Sequence, residues 1–203
     1  MSATPPSLVL FDLDGVLVSY SHAVRCETLG AALRRTPDAV FSALFDTGIE
    51  PRYDAGLLDD DAYLAALSAA LGREVERAHW LAARSASMQC EPATCARIAA
   101  LAGSADVAIL TNNGPLVIDS LPAQLREAIP RDRIFCSNAL RISKPAPAAF
   151  LRVVETLGHA PHRTLFLDDN FANVAGARSA GLQAEQVQAP GEIAGILRDY
   201  GFD

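Results

Sequence analysis

Apolar residues gather into a few short runs that end on polar clusters. Ser7 to Phe11 reads SLVLF and stops abruptly at Asp12-Leu13-Asp14-Gly15, the pattern of a strand buried on both faces with acidic residues at its carboxyl end. DVAIL at 106–110 ends in Thr111-Asn112-Asn113-Gly114, TLFL at 164–167 ends in Asp168-Asp169-Asn170, and a weaker run, RIFC, precedes Ser137. Helix-like stretches follow each run, as from Ala172 to Ala180 before Gly181, a natural C-terminal glycine. Strands alternating with helices predict an α/β fold with a parallel sheet, where ligands gather outside the carboxyl ends of the strands.

Between Val18 and Glu91 the strand pattern gives way to helices separated by turn residues. Asp59 to Gly72 has an acidic start, Leu64, Leu67 and Leu71 at helical spacing and a terminal glycine, which predicts one capped amphipathic helix. Asp38, after Pro37, is read as the cap of another helix holding Val40, Phe41, Leu44 and Phe45. A helical insertion over 18–91 is therefore expected within a core formed by 1–17 and 92–203, with the crossings near Val18 and Pro92.

Composition narrows the function classes. The 203 residues are half apolar and carry 24 Asp plus Glu against 17 Lys plus Arg, for a net charge of −7. Such a balance, with no basic run, disfavours a nucleic-acid or membrane-surface binder. No apolar stretch approaches the ~20 residues of a membrane span. MSATPPS shows no basic segment followed by an apolar one, so no secretory leader is expected. Cys26, Cys90, Cys95 and Cys136 lie at no metal-like spacing, which predicts reduced thiols and a cytoplasmic protein.

The chemistry concentrates at the strand ends. Asp12 and Asp14 flank a leucine at the end of one buried strand, and Asp168 and Asp169 close another; a parallel sheet brings the four together. Unpaired burial of such carboxylates costs several kcal/mol, so a cation is required. An all-oxygen ligand set suits Mg²⁺, often shared with a substrate phosphate. Lys144, in SKPAPAAF, supplies a fixed positive charge, and Thr111 and Asn112 stand before a helix start, where hydroxyl, amide and backbone N–H groups can hold a phosphate.

FDLDGVL at 11–17, LTNN at 110–113, KPAPAAF at 144–150 and LFLDDNFANVAGAR at 165–178 resemble, in order, the signatures of the haloacid dehalogenase-like hydrolases. The resemblance covers the whole chain and implies a Rossmann-like core with helices on both faces plus a small α-helical cap domain over 18–91. It implies Asp12 as the nucleophile that forms an aspartyl-phosphate, and Asp14 as the general acid and base. Thr111 and Lys144 would hold the phosphoryl oxygens. Mg²⁺ would be bound by Asp12, the Asp14 backbone carbonyl and Asp169, with Asp168 reaching it through water; which of the acidic pair binds directly is left open. Asn173, one turn into the next helix, would orient the metal shell.

Family dehalogenases lack an aspartate at the position of Asp14 and work without metal, so the resemblance implies a phosphatase. Its expected substrate is a small phosphorylated metabolite, with sugar phosphates such as glucose 1-phosphate as the example given by the branch it resembles. A sugar phosphomutase and a non-catalytic phosphoryl-accepting regulator are the alternatives. Neither a nucleic acid nor a membrane is an expected partner, and oligomeric state is not legible. His22, His79, His159 and His162 are read as surface or core residues, His22 alone lying near the hinge of the insertion. Trp80 and Met88 are assigned to packing, and Asp59-Asp60-Asp61 to a helix N-terminus. Arg52 and Tyr53 are secondary candidates for reading a substrate.

Overall fold

The computed structural model describes residues 5–101 and 103–202; residues 1–4, which open the segment read for a leader, lie outside it. Five parallel strands form the central sheet: β1 (Leu8–Phe11), β4 (Asp106–Thr111), β5 (Ile134–Cys136), β6 (Thr164–Asp168) and β7 (Gln183–Gln186), in the order β5-β4-β1-β6-β7. β1 lies centrally, with Phe11 beside Ile109 on one side and Leu167 on the other. Its four residues are wholly buried because both sheet faces are covered. Val9 and Phe11 point into one layer with Ile98 of α6 (Pro92–Ala100), Val117 of α7 (Leu116–Ser120), Leu125 of α8 (Ala123–Ala128) and Leu197 of α12 (Ile193–Asp199). Leu8 and Leu10 point into the other, with Phe150 and Val153 of α10 (Pro147–Thr156) and Val174 and Ala177 of α11 (Phe171–Ser179). This is the expected Rossmann-like α/β core.

The chain leaves this core through β2 (Ser19–Tyr20) and returns through β3 (Met88–Gln89), which pair antiparallel as a short ribbon. The sequence reading expected only helices there. Between the two strands lie α1 (His22–Leu33), α2 (Pro37–Phe41), a π-helical turn (Ser42–Asp46), α3 (Ile49–Asp54), α4 (Asp60–Leu71) and α5 (Arg77–Ala86). They enclose a hydrophobic cluster of their own that includes Leu29, Leu44, Tyr63, Leu67 and Trp80. α4 follows the expected pattern: Asp59 accepts the Ala62 N–H at 2.8 Å, and Gly72 closes the helix in the left-handed conformation. At α2 the cap is Thr36, whose hydroxyl accepts from Ala39 N, and Asp38 falls in the first turn instead.

β7 is a strand that no sequence signal marks, and one cysteine pair departs from the expected reduced thiols. β7 is an edge strand of sequence QAEQ with Ala184 as its one buried residue, so no apolar run marks it. Cys90 and Cys95 form a disulfide that ties the segment after β3 to α6, while Cys26 and Cys136 are free and buried. The pairing removes the cysteine pattern as an argument for a reducing compartment. No helix among the described residues is long and apolar enough to cross a membrane.

Candidate active site

β1 ends where its ladder does. Asp12 still donates its N–H to Leu167 O at 2.8 Å, and the chain then turns through Gly15, at φ +85°. A Cβ at Gly15 would collide with Asp169 Oδ2, so the glycine serves both the left-handed turn and the space for that carboxylate. One carboxylate oxygen from each of Asp12, Asp168 and Asp169 lies within 4.8 Å of the other two.

Lys144 binds this cluster together. Its ammonium, 1% exposed, contacts Asp12 Oδ1 at 2.7 Å and Asp168 Oδ2 at 2.6 Å. Asn112 fixes its backbone, donating to Lys144 O and accepting from Lys144 N, each at 2.9 Å. The loop is held from behind by α11, whose Gly176 packs so close to Pro145 that a Cβ would strike the Pro145 carbonyl. The side chain of Asn112, expected from the sequence to hold a phosphate, is thus committed to the Lys144 backbone.

Asp168 and Asp169 differ in their surroundings. Asp168 is fully buried and accepts from Lys144, from Asn173 Nδ2 on both oxygens at 3.1 Å, and from Asn170 N at 2.8 Å. Asp169 is exposed, with its carboxylate over Gly15. Burial pushes the Asp12 carboxyl up to about 7; Lys144 opposes this and Asp168 adds to it. Burial and then Asp168 also raise Asp169. Three crowded carboxylates, two of them raised, fit a divalent cation of oxygen preference, and the space above Gly15 leaves Asp169 free to hold it.

Thr111, 1% exposed, receives Asn113 Nδ2 on its hydroxyl at 2.7 Å. The same amide reaches Asp14 Oδ2 at 3.1 Å. Asp14 Oδ2 also takes Arg84 Nη2 of α5 at 2.5 Å, and Arg84 lies 4.1 Å over the Tyr20 ring. Asp14 Oδ1 has no hydrogen-bond partner among the described residues. A chamber of about 150 Å³ opens here, floored by Asp14, Asn112 and Asn113 and walled by Tyr20, His22, Arg25, Phe45, Glu50, Asp54 and Arg84. A larger apolar cleft of about 390 Å³, beside the disulfide, contains none of the chemical residues.

A family model for haloacid dehalogenase-like hydrolases matches residues 6–181. The chain belongs to that family. A phosphatase of Mycobacterium tuberculosis (strain CDC 1551 / Oshkosh), MT3486, is 30% identical over 215 residues, covering 95% of this chain and 93% of its own. An (S)-2-haloacid dehalogenase of Xanthobacter autotrophicus is 32% identical over 80 residues, 39% of this chain and 32% of its own. Among solved structures, a family enzyme of Bacteroides thetaiotaomicron in complex with magnesium and inorganic phosphate superposes with a TM-score of 0.78 at 18% identity, over 94% of this chain and 98% of that one.

The structure brings together every residue singled out for this site: Asp12, Asp14, Thr111, Asn112, Lys144, Asp168, Asp169 and Asn173. The wall of the hydrolase's chamber is another matter. Arg52 is exposed, and Tyr53 is buried, with its hydroxyl between Asp60 (2.5 Å) and the Leu116 N–H (3.2 Å). Their neighbour Asp54 lines the chamber instead. Arg84 was missed as well, although its place on the buried stripe of α5, four residues after Trp80, was a usable signal. Trp80 and Met88 do pack in the interior. His22 lines the chamber and stacks on Phe45, centroids 4.7 Å apart.

Proposed function

We propose that this hydrolase is a Mg²⁺-dependent phosphomonoesterase that cleaves the ester of a small alcohol through an aspartyl-phosphate on Asp12. The observation that carries the reading is the division of the cleft. Asp12, Lys144, Asp168 and Asp169 cluster at the sheet end, while Asp14 lines a separate chamber, its Oδ1 buried and without a partner among the described residues. A phosphoryl group belongs at the first and its alcohol in the second. A halide leaving group needs no acid, whereas an alkoxide does, and a carboxyl lining the chamber, Asp14, supports this reading. The phosphatase name of the mycobacterial relative, and the magnesium and phosphate of the Bacteroides structure, agree with this.

Asp12, Asp169 and the Asp14 backbone carbonyl would hold the metal, with Asp168 bracing Lys144 and Asn173 fixing Asp168. When bound, Mg²⁺ offsets negative charge on the phosphoryl oxygens and on the carboxylates. Asp12 attacks phosphorus; the phosphorus–alcohol bond breaks, and Asp14 gives its proton to the departing oxygen. Asp14 then takes a proton from water, whose oxygen displaces Asp12 from phosphorus and releases phosphate. Thr111, Lys144 and the Asn112 N–H hold the non-bridging oxygens through both steps. Arg84 and Asn113 hold Asp14 Oδ2 in place. The insertion over 18–91 acts as the cap that closes the chamber and excludes bulk water.

The chamber has room for about five waters at ~30 Å³ each, which favours a short alcohol; a hexose phosphate would require the cap to stand further open. Phosphate release from a panel of small esters, with and without EDTA, tests the reading. Release that depends on metal and vanishes in Asp12→Asn is expected. Release that persists in that variant would overturn the nucleophile assignment, and hydrolysis of no ester would overturn the phosphatase reading.

A further inference from the structure

The wall of the alcohol chamber carries three carboxyls, Asp14, Glu50 and Asp54, and two guanidiniums, Arg25 and Arg84. Both guanidiniums are already matched. Arg25, 3% exposed, bonds Glu50 at 2.8 Å, Tyr20 Oη at 3.1 Å and Tyr63 Oη at 3.2 Å. Arg84 bonds Asp14 at 2.5 Å, and its remaining donors, Nε and Nη1, are sealed from solvent and have no partner among the described residues. Asp54 is the carboxyl left over. It is half-buried, and no side-chain hydrogen bond or ion pair reaches its carboxyl among the described residues, although its backbone is firmly held: Ser137 Oγ donates to Asp54 O at 2.7 Å and Asn138 to Tyr53 O.

We propose that the chamber selects an alcohol bearing a protonated amine, and that Asp54 is the residue that receives it. This rests on the phosphatase reading above and names the class of substrate for that same site. Charge complementarity is the reason: a short amino alcohol gives the unmatched carboxyl its cation, whereas an alcohol bearing a carboxylate would face that carboxyl and find Nε and Nη1 of Arg84 sealed from solvent. Burial, then the charge of Glu50, push the Asp54 carboxyl up to about 8 against the pull of Arg25 and Arg84. A cation placed beside it would reverse that shift. The volume of about 150 Å³ fits an amine two or three carbons from the ester oxygen.

The test compares kcat/KM with Mg²⁺ for O-phosphoethanolamine, 2-hydroxyethyl phosphate and 2-phosphoglycolate, near-isosteric esters carrying a cation, a hydroxyl and an anion. The wild-type protein should favour the amine over the hydroxyl by about 10- to 100-fold, the worth of a charge-assisted hydrogen bond, with glycolate last. Asp54→Asn should bring the amine and hydroxyl esters to parity. A wild-type ranking with the hydroxyl or glycolate ester level with or above the amine overturns the proposal, as does a folded Asp54→Asn protein that keeps the preference. If the variant fails to fold, the wild-type ranking decides alone. Hydrolysis of p-nitrophenyl phosphate separates the two levels: if it is cleaved but the amine is not preferred, only this inference fails, whereas if no ester is cleaved the phosphatase reading fails and this one with it.

Discussion

Replacing Lys144 by methionine keeps the length and apolar stem of the side chain but removes the one ammonium that touches both Asp12 and Asp168. Volume is nearly conserved, so little of the effect is cavity formation. Breaking a buried ion pair by removing one partner costs about 3–5 kcal/mol. Asp168 retains Asn173 and the Asn170 N–H, and Asp12 can take up a proton, so a loss near the lower end, about 3 kcal/mol, is expected in EDTA at neutral pH. The pH dependence identifies the cause. Burial already raises Asp12 to about 7 in the folded protein, so that carboxyl opposes folding increasingly as pH rises from its unfolded value near 4 to about 7, and by a constant amount above. Without Lys144 the folded pKa rises further, so the variant keeps losing stability above pH 7, at about 1.4 kcal/mol per unit until the new pKa is reached. Urea melts of both proteins in EDTA at about pH 5, 7 and 9 read this directly. A deficit that is clearly larger at the alkaline end supports the buried three-way pair; a deficit independent of pH, or none at all, refutes it.

Further outcomes follow from the same geometry. Gly15→Ala should cost about 1–2 kcal/mol for its left-handed backbone and, by displacing Asp169, raise the Mg²⁺ needed for half-maximal activity about 10- to 100-fold, read by metal titration. Asp14→Asn should slow both half-reactions yet still accumulate phosphoryl-enzyme, detectable by acid-quench labelling with a good leaving group; turnover equal to wild type on an alkyl ester would remove Asp14 from its role. Arg84→Gln should lower kcat by about 10- to 100-fold through misplacement of Asp14, with a smaller change in the KM for p-nitrophenyl phosphate. Far from the site, His159 and Arg133 hold the Asp106 carboxyl below its ordinary range. Its stabilisation is present above the unfolded pKa near 4 and is lost as pH falls through the folded one. Because Asp106 is well exposed, Asp106→Asn should cost no more than ~1 kcal/mol at neutral pH, and nothing in acid melts below both pKa values.

The core and its acidic edge were legible because each rests on a local pattern. SLVLF, DVAIL and TLFL each open on one polar residue and then run apolar through the part covered on both faces, so the next polar residue marks the carboxyl end where chemistry collects. The edge strand β7, with one buried residue, offers no such run. The chamber is illegible for a different reason. Glu50 and Asp54 lie four residues apart on α3, Arg25 lies on α1 and Arg84 on α5, and none of the spacings between these helices is periodic. Their meeting is decided by how the insertion packs around Tyr53, Tyr63 and Trp80: the two tyrosines stack at 4.0 Å, and Trp80 Nε1 donates to Tyr63 Oη at 2.9 Å. Tyr63 Oη also bonds Glu50 and receives Arg25. The residues that fix the insertion's core are thus the ones that set which charges of the chamber are matched and which is left open. On the proposed function, the catalytic groups anchored to the sheet would depend on register, while selectivity would depend on a small hydrophobic core that can repack without disturbing them. A substitution at Tyr63, such as Tyr63→Phe, should therefore alter the ranking of esters far more than the hydrolysis of p-nitrophenyl phosphate, because it removes the hydroxyl that Glu50 and Arg25 share while leaving Asp12, Asp14 and Lys144 untouched; equal losses on all esters would show that cap packing and the catalytic edge are one unit.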